Sequence, residues 1–174
     1  MPLYRRASDL AHNLQRRDLG NQVHQALEQV QWTGAAHRPQ LDRQREQWRR
    51  QLSPEAFAMV AAVLDNPATA SWFQPLDPAS ELWREQGFEM ELDGHWVSGV
   101  FDRVEVAPGR VRLIDFKTSE RLPDGRWPVQ RHRSQLRLYA RVLARLLGCD
   151  PSRIEPVVLY VTGPEAVVID GDET

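Results

Sequence analysis

The sequence predicts an α/β fold: a mostly helical lead-in over residues 1–80, then a core over 81–170 with a central mixed β-sheet and flanking helices. Three observations carry this. Apolar residues recur at helical spacing, with cap signals, in the lead-in. Two turn signals divide a run of period-two alternation further on. A long helical pattern and a short apolar run then follow, the order of a mixed α/β core led by an antiparallel meander.

In the lead-in, Gly20 to Trp32 sets Val23, Ala26, Leu27 and Val30 on one face at ~100° per residue. Pro39 opens a charged segment, Gln40 to Arg50. Ser53-Pro54-Glu55 is a helix start, with Phe57, Val60, Ala61 and Leu64 behind it, and Asn66-Pro67 ends it. The first predicted strand has Phe88, Met90 and Leu92 alternating with Glu89 and Glu91. Asp93-Gly94 is a two-residue hairpin turn, and Trp96 to Val106 is a second strand. Pro108-Gly109 turns the chain into a third, Arg110 to Lys117. Its alternation puts Val111, Leu113, Asp115 and Lys117 on one face, and Arg112, Ile114 and Phe116 on the other. After the polar loop at Pro123-Asp124-Gly125-Arg126, Arg133 to Leu147 reads as a helix closed by Gly148. Pro156 to Val161 reads as a buried strand, and Val167 to Ile169 as an edge strand.

The 174 residues are one domain's worth. Apolar residues at 41% and charged residues at 26% exclude a disordered tail, a collagen repeat or a disulfide scaffold. One cysteine, Cys149, excludes an internal disulfide and a Cys-ligated metal within this chain. No apolar run is long enough for a membrane helix, and no apolar signal region follows the N-terminus, so a cytoplasmic setting with no membrane partner is expected. The net charge of −2 averages two unlike regions. Arg121 to Arg145 holds seven Arg and one acid, whereas Asp77 to Asp93 holds six acids and Arg84 alone. Of the 22 basic residues only Lys117 is a lysine.

Asp115-Phe116-Lys117 places a carboxylate and an ammonium on one strand face. By itself that spacing also describes a simple salt bridge. Asp102, mid-strand on a face shared with Val100, Val104 and Val106, adds a second inward acid. Strands in a meander lie ~4.8 Å apart, so two such acids repel unless a cation lies between them. Mg²⁺ takes carboxylate, water and phosphate oxygens, and a nearby Lys can orient water or stabilise phosphate charge. Only a lysine can lower its pKa enough to do so as a base; arginine stays protonated. Gly99, inside the second strand, marks a place where another group comes close.

Gly99-Val100-Phe101-Asp102-Arg103-Val104 followed by Leu113-Ile114-Asp115-Phe116-Lys117-Thr118-Ser119 resembles the PD-(D/E)XK nuclease superfamily, and within it the RecB/AddA type of nuclease domain, over about residues 20–162. Three further motifs of that type have counterparts. Gly20-x-x-x-His24 resembles its upstream metal-ligand motif. Glu85, shortly before Phe88 and with Glu81 and Glu89 nearby, resembles its acid ahead of the meander. Gln135-x-x-x-Tyr139 resembles its motif on the helix after the lysine strand.

The resemblance implies a restriction-endonuclease-like core and a Mg²⁺- or Mn²⁺-dependent deoxyribonuclease. It implies metal ligation by His24, Asp102, Asp115 and the Phe116 carbonyl. It implies water activation by Lys117, with Glu85, Gln135 and Tyr139 in the site. Arg131, Arg133 and Arg137, with Gln135 and Tyr139, would contact DNA, and Trp127 or His132 would stack a base. The expected activity is exonucleolytic on single strands, in recombination or repair, on DNA strands or duplex ends. The chain would stand alone or serve as the nuclease domain beside a helicase domain or subunit. An iron–sulfur cluster is not expected, since four Cys are needed, and neither is an ATP site, since no Walker lysine is present. The alternative is a catalytically silent DNA-binding or helicase-partner scaffold of the same fold.

Overall fold

A computed structural model describes the backbone of residues 2–170 and the side chains of residues 11–170. The lead-in forms α1 (Pro2–Gln29), α2 (Arg38–Gln51), α3 (Pro54–Asp65) and the single turn α4 (Pro67–Ala70). The core follows as β1 (Glu81–Leu92), β2 (His95–Ala107), β3 (Arg110–Lys117), α5 (Val129–Leu147), β4 (Ile154–Tyr160) and β5 (Glu165–Val168). One sheet has the order β1-β2-β3-β4-β5. Its first two pairs are antiparallel, β3 and β4 are parallel across α5, and β4 and β5 are antiparallel. The predicted mixed sheet with its leading meander is present, in an arrangement consistent with a restriction-endonuclease-like fold.

Local signals act where the sequence put them. Ser53 Oγ accepts from the Ala56 N–H at 3.2 Å, and Asn66 Oδ1 from the Ala68 N–H at 3.0 Å, so each satisfies an orphan donor of a helix start. Asp93 and Gly94 both take positive φ, closing the hairpin between Leu92 and His95. The sheet buries both faces. Val23, Ala26, Leu27 and Val30 of α1 join Val60, Val63 and Leu64 of α3 against Ile114, Phe116, Val157 and Leu159. Leu136, Val142 and Leu143 of α5 pack over Val104, Val111, Leu113, Val158 and Tyr160. Fully burying an aliphatic or Phe side chain stabilises by ~1.5–3 kcal/mol, so both helical layers are needed to cover the sheet.

The structure departs from the expectations in three places. First, elements begin earlier. β1 starts at Glu81, not Phe88, and α5 at Val129, not Arg133. Alternation is absent over Leu82 to Gly87, which hid the strand.

Second, the β1–β2 ribbon changes faces midway. Trp83 and Val104 belong to the α5-side core, but so do Phe88, Met90 and Leu92 of β1 and Val97 and Phe101 of β2. Buried positions thus switch between odd and even in both strands; the pairing keeps one register from Arg84↔Arg103 to Gln86↔Phe101 but skips the Glu85–Asp102 pair between them. The switch falls at Glu85 and Asp102, and Glu85 takes φ 49 there. A non-glycine residue at positive φ costs ~1–2 kcal/mol, so strain is stored at this point. Asp102 therefore does not share a buried face with Val100, which is 42% exposed; Phe101 is buried instead.

Third, Trp127 does not face the solvent. It is buried, stacks on Tyr160 at 4.1 Å, and donates from Nε1 to Glu165 at 2.8 Å. A ring sandwiched this way is not available to a base. His132 Nε2 is instead 3.2 Å from Ser119 Oγ.

One group of buried charges closes on itself. Arg103, 2% exposed, lies over the Trp32 and Phe73 rings at 5.2 and 4.8 Å. Arg112 lies over the Trp72 ring at 4.6 Å, with Nη1 3.4 Å from Glu105 Oε2. The other Glu105 oxygen accepts from the Leu76 N–H.

Candidate active site

The β2–β3 ladder runs from Ala107↔Arg110 to Arg103↔Ile114. One more step in that register sets Asp102 opposite Asp115. There a side chain takes over the ladder: the Phe116 N–H donates to Asp102 Oδ2 at 2.8 Å. The Phe116 carbonyl accepts from His24 Nε2 at 2.9 Å, and His24 Nδ1 lies 3.9 Å from Asp102 Oδ2. His24, Asp102 and the Phe116 carbonyl thus meet at one point, drawn from α1, β2 and β3.

Two devices hold α1 there. Its last carbonyls, which have no partner within the helix, accept from arginines of the sheet: Arg84 Nη1 bonds Gln29 O at 2.9 Å, and Arg103 bonds Val30 O at 2.7 Å and Gln31 O at 2.6 Å. Gly20, one turn before His24, lets the helix press on the end of β3. A Cβ at that position would stand 3.2 Å from Thr118 Oγ1. Glycine in Gly20-x-x-x-His24 thus gives α1 a close approach to Thr118.

On the α5 side, Lys117 Nζ lies 2.8 Å from Asp115 Oδ2 and donates to Gln135 Oε1 at 3.2 Å. Asp115 is buried, and Oδ2 has no hydrogen bond of good angle among the described residues. Burial pushes the Asp102 carboxyl up to about 6, and the charge of Asp115 adds to it; His24, the Phe116 N–H and Lys117 act the other way. Glu85 is also raised, first by burial and then by Asp102. Glu28 is raised by burial, then by the charge of Glu85 and a hydrogen bond with it. Four acids crowd one point with too little positive charge nearby.

One donor atom each from His24, Glu85 and Asp102 lie within 4.8 Å of one another. Hard carboxylate and carbonyl oxygens with a single imidazole suit Mg²⁺ or Mn²⁺. The residues present therefore fit a divalent cation, and the raised acids fit its charge.

His24, Glu85, Asp102 and the Phe116 carbonyl come together; Asp115 is not in the group whose donor atoms lie within 4.8 Å of one another, and stands beside it on the α5 side with Lys117 and Gln135. Among the three neighbouring acids, Glu85 is the one at the site; Glu81 accepts from Trp83 Nε1 at 2.6 Å and Glu89 from Trp96 Nε1 at 2.8 Å. Gln135 is exposed, bonded to Lys117, and not within the apolar helix face. Tyr139 is not among these groups. Its ring packs edge-on against Phe88 at 5.0 Å and Phe101 at 5.7 Å. It is the group that comes close to Gly99, where a Cβ would stand 2.5 Å from its hydroxyl.

The arginine stripe of α5 is not uniform. Arg133 and Arg137 are half-buried, and Arg141 pairs with Asp93 at the hairpin tip. Arg131 is exposed and lines an open cleft of about 1220 Å³. The cleft runs between α1 and the loop after β3, past Arg16, Arg17, His24, Thr118 and Arg121. Glu28 is the residue that sequence reasoning passed over. Its signal was its place one helical turn after His24, on the same face.

The family model of the PD-(D/E)XK nuclease superfamily matches residues 3–170. No curated protein matches the chain.

Proposed function

The chain belongs to the PD-(D/E)XK nuclease superfamily, and from that premise we propose a Mg²⁺- or Mn²⁺-dependent deoxyribonuclease of the RecB/AddA type, acting as an exonuclease on single-stranded DNA. The observation that carries this reading is the meeting of His24, Asp102 and the Phe116 carbonyl, with the Asp115–Lys117 pair at the neighbouring position on β3.

His24, Asp102, Asp115 and the Phe116 carbonyl would hold the ion, with Glu85 as a further donor. When bound, it supplies Lewis-acid polarisation of the scissile phosphate. Lys117 orients the attacking water and offsets the charge that develops on the phosphate oxygens; its contact with Gln135 sets where the ammonium points. Water attacks phosphorus, the bond to the 3′-oxygen breaks, and a 5′-phosphate remains. Arg131 and the other cleft arginines bind backbone phosphates. The reading takes residues 1–174 as one nuclease domain in a cytoplasmic setting, standing alone or beside a helicase domain or subunit. Among the described residues, no helix is long and apolar enough to cross a membrane.

A gel assay with end-labelled single-stranded DNA, with Mg²⁺, with Mn²⁺ and with chelator, tests the reading. Metal-dependent loss of terminal nucleotides is expected. Binding without cleavage in either metal would indicate a silent scaffold.

A further inference from the structure

The Tyr160 hydroxyl is buried without a hydrogen bond among the described residues, and Asp115 Oδ2 has only the Lys117 ammonium, at 2.8 Å. Unpaired buried polar atoms are rare because each costs its full desolvation. Tyr160 is fully buried, so no solvent reaches its hydroxyl. In the parallel β3–β4 pair, Asp115 lies opposite Val158 and Lys117 opposite Tyr160. Side chains two apart share a face, so Asp115, Lys117 and Tyr160 all project toward α5. Tyr160 is then the diagonal neighbour of Asp115 across one strand spacing of ~4.8 Å, within reach of an aromatic side chain. Its ring is fixed by the Trp127 stack at 4.1 Å, which leaves the hydroxyl little freedom to find another partner.

We propose that Tyr160 is a positioning residue: its hydroxyl donates to Asp115 Oδ2 and releases Lys117 toward the attacking water. This rests on the nuclease reading above. Lys117 Nζ has two claims on it, the contact with Asp115 at 2.8 Å and the bond to Gln135 at 3.2 Å. A lysine that must neutralise Asp115 cannot also face the substrate. A neutral donor on the same carboxylate frees it and fixes which Asp115 oxygen turns toward the cation. Burial pushes the phenol up to about 12, with Asp115 adding to the rise, so the hydroxyl keeps its proton at any working pH. Partners that orient metal-ligating carboxylates in this way are worth ~10–100-fold in metal affinity or activity.

The test is Tyr160→Phe on the full chain, which keeps the ring and its stack. Mn²⁺ binding is measured by calorimetry, alongside melting in chelator and steady-state cleavage of single-stranded DNA. The expected result is Mn²⁺ affinity lowered about tenfold and kcat lowered at least as much, with KM for DNA unchanged. Melting in chelator should change little, since the ring and its stack on Trp127 remain. Wild-type Mn²⁺ affinity and wild-type kcat in the variant would overturn the proposal, as would a drop in melting temperature with metal affinity unchanged. Absence of Mn²⁺ binding by the wild-type chain would instead bring down the nuclease reading, and this proposal with it.

Discussion

Two adjoining clusters of buried charge meet on strands β2 and β3, one along the last rungs of their ladder and one just past its end. In the cluster of Arg103, Glu105 and Arg112, each cation has a carboxylate, a carbonyl or an aromatic face. In the cluster of Glu85, Asp102 and Asp115, acids face acids, and His24 and Lys117 only partly offset them. The first cluster is partnered within the chain, with only Arg112 Nε left without a hydrogen bond among the described residues. The second is short of positive charge, which the proposed cation would supply. Position separates them as well: the ladder is regular through Arg103↔Ile114 and lets go one residue later. A buried charge that has found its partners is part of the structure, and one that has not marks where a ligand binds.

Substitutions should split along that line. The largest effects belong to the incomplete cluster and fall on activity. Asp115→Ala or Lys117→Ala should lower cleavage of labelled single-stranded DNA by ~10³-fold or more, the scale of losing a group that acts in the transition state, with melting little changed. Lys117→Ala cleaving at the wild-type rate would erase the contrast. In the complete cluster the loss should fall on the fold. Arg103→Ala takes a buried cation from beside Glu105 and leaves the Val30 and Gln31 carbonyls without their donor, at a cost of ~3–5 kcal/mol; a chemical denaturation curve measures it.

Asp102→Asn should act in opposite directions on the two properties. The Asp102 carboxyl is held up to about 6 in the folded protein, against 3.8 for the free group. The folded chain therefore binds the proton more tightly, and this group makes folding less favourable as pH rises from about 4 to about 6. Asn removes that penalty. At pH 7 in chelator the variant should melt higher by several degrees, since ~1 kcal/mol is worth roughly 2–4 °C at this size. Below pH 4 the advantage should vanish, and cleavage should be lost at every pH. An advantage over the wild type no larger at pH 7 than below pH 4 would show that burial and the Asp115 charge do not hold the Asp102 carboxyl up.

The smallest effect tests the aromatic group beside the site. In Gly99→Ala the new methyl meets the Tyr139 hydroxyl at 2.5 Å and Phe88 Cζ at 2.8 Å, so both rings must shift. Overpacking of this kind costs ~1–3 kcal/mol. Mn²⁺ affinity should hold, since Tyr139 is not among the metal-site residues; a matching loss of affinity would place Tyr139 inside the site.

Much of this was legible in advance because strand periodicity and cap chemistry are local. Asp115 and Lys117 share a face by period two, and Ser53 and Asn66 cap by the identity of their side chains. Asp102 was found, but with the wrong neighbours. A ribbon that changes faces at Glu85 breaks the parity argument for every residue beyond it, which is why Val100 looked buried and Phe101 did not. The partners of Gln135 and Arg141 were not legible for a related reason. A helical wheel sorts residues by angle, but what lies along the axis decides their partners: Lys117 at one end of α5 and Asp93 at the hairpin. Glu28 needed its tertiary neighbour Glu85 to stand out.

His24 and Phe116, joined by one hydrogen bond, are 92 residues apart in the chain. A cation held between α1 and the ends of β2 and β3 therefore closes a loop of about that length. Fixing such a long loop removes many conformations from the unfolded ensemble. The ion would act as a clasp on chain topology, drawing the first helix and the third strand into one cooperative unit. Cutting competence then cannot precede folding: a chain stopped before β3, or one whose first helix has come away, has no place to put the ion and leaves nucleic acid intact.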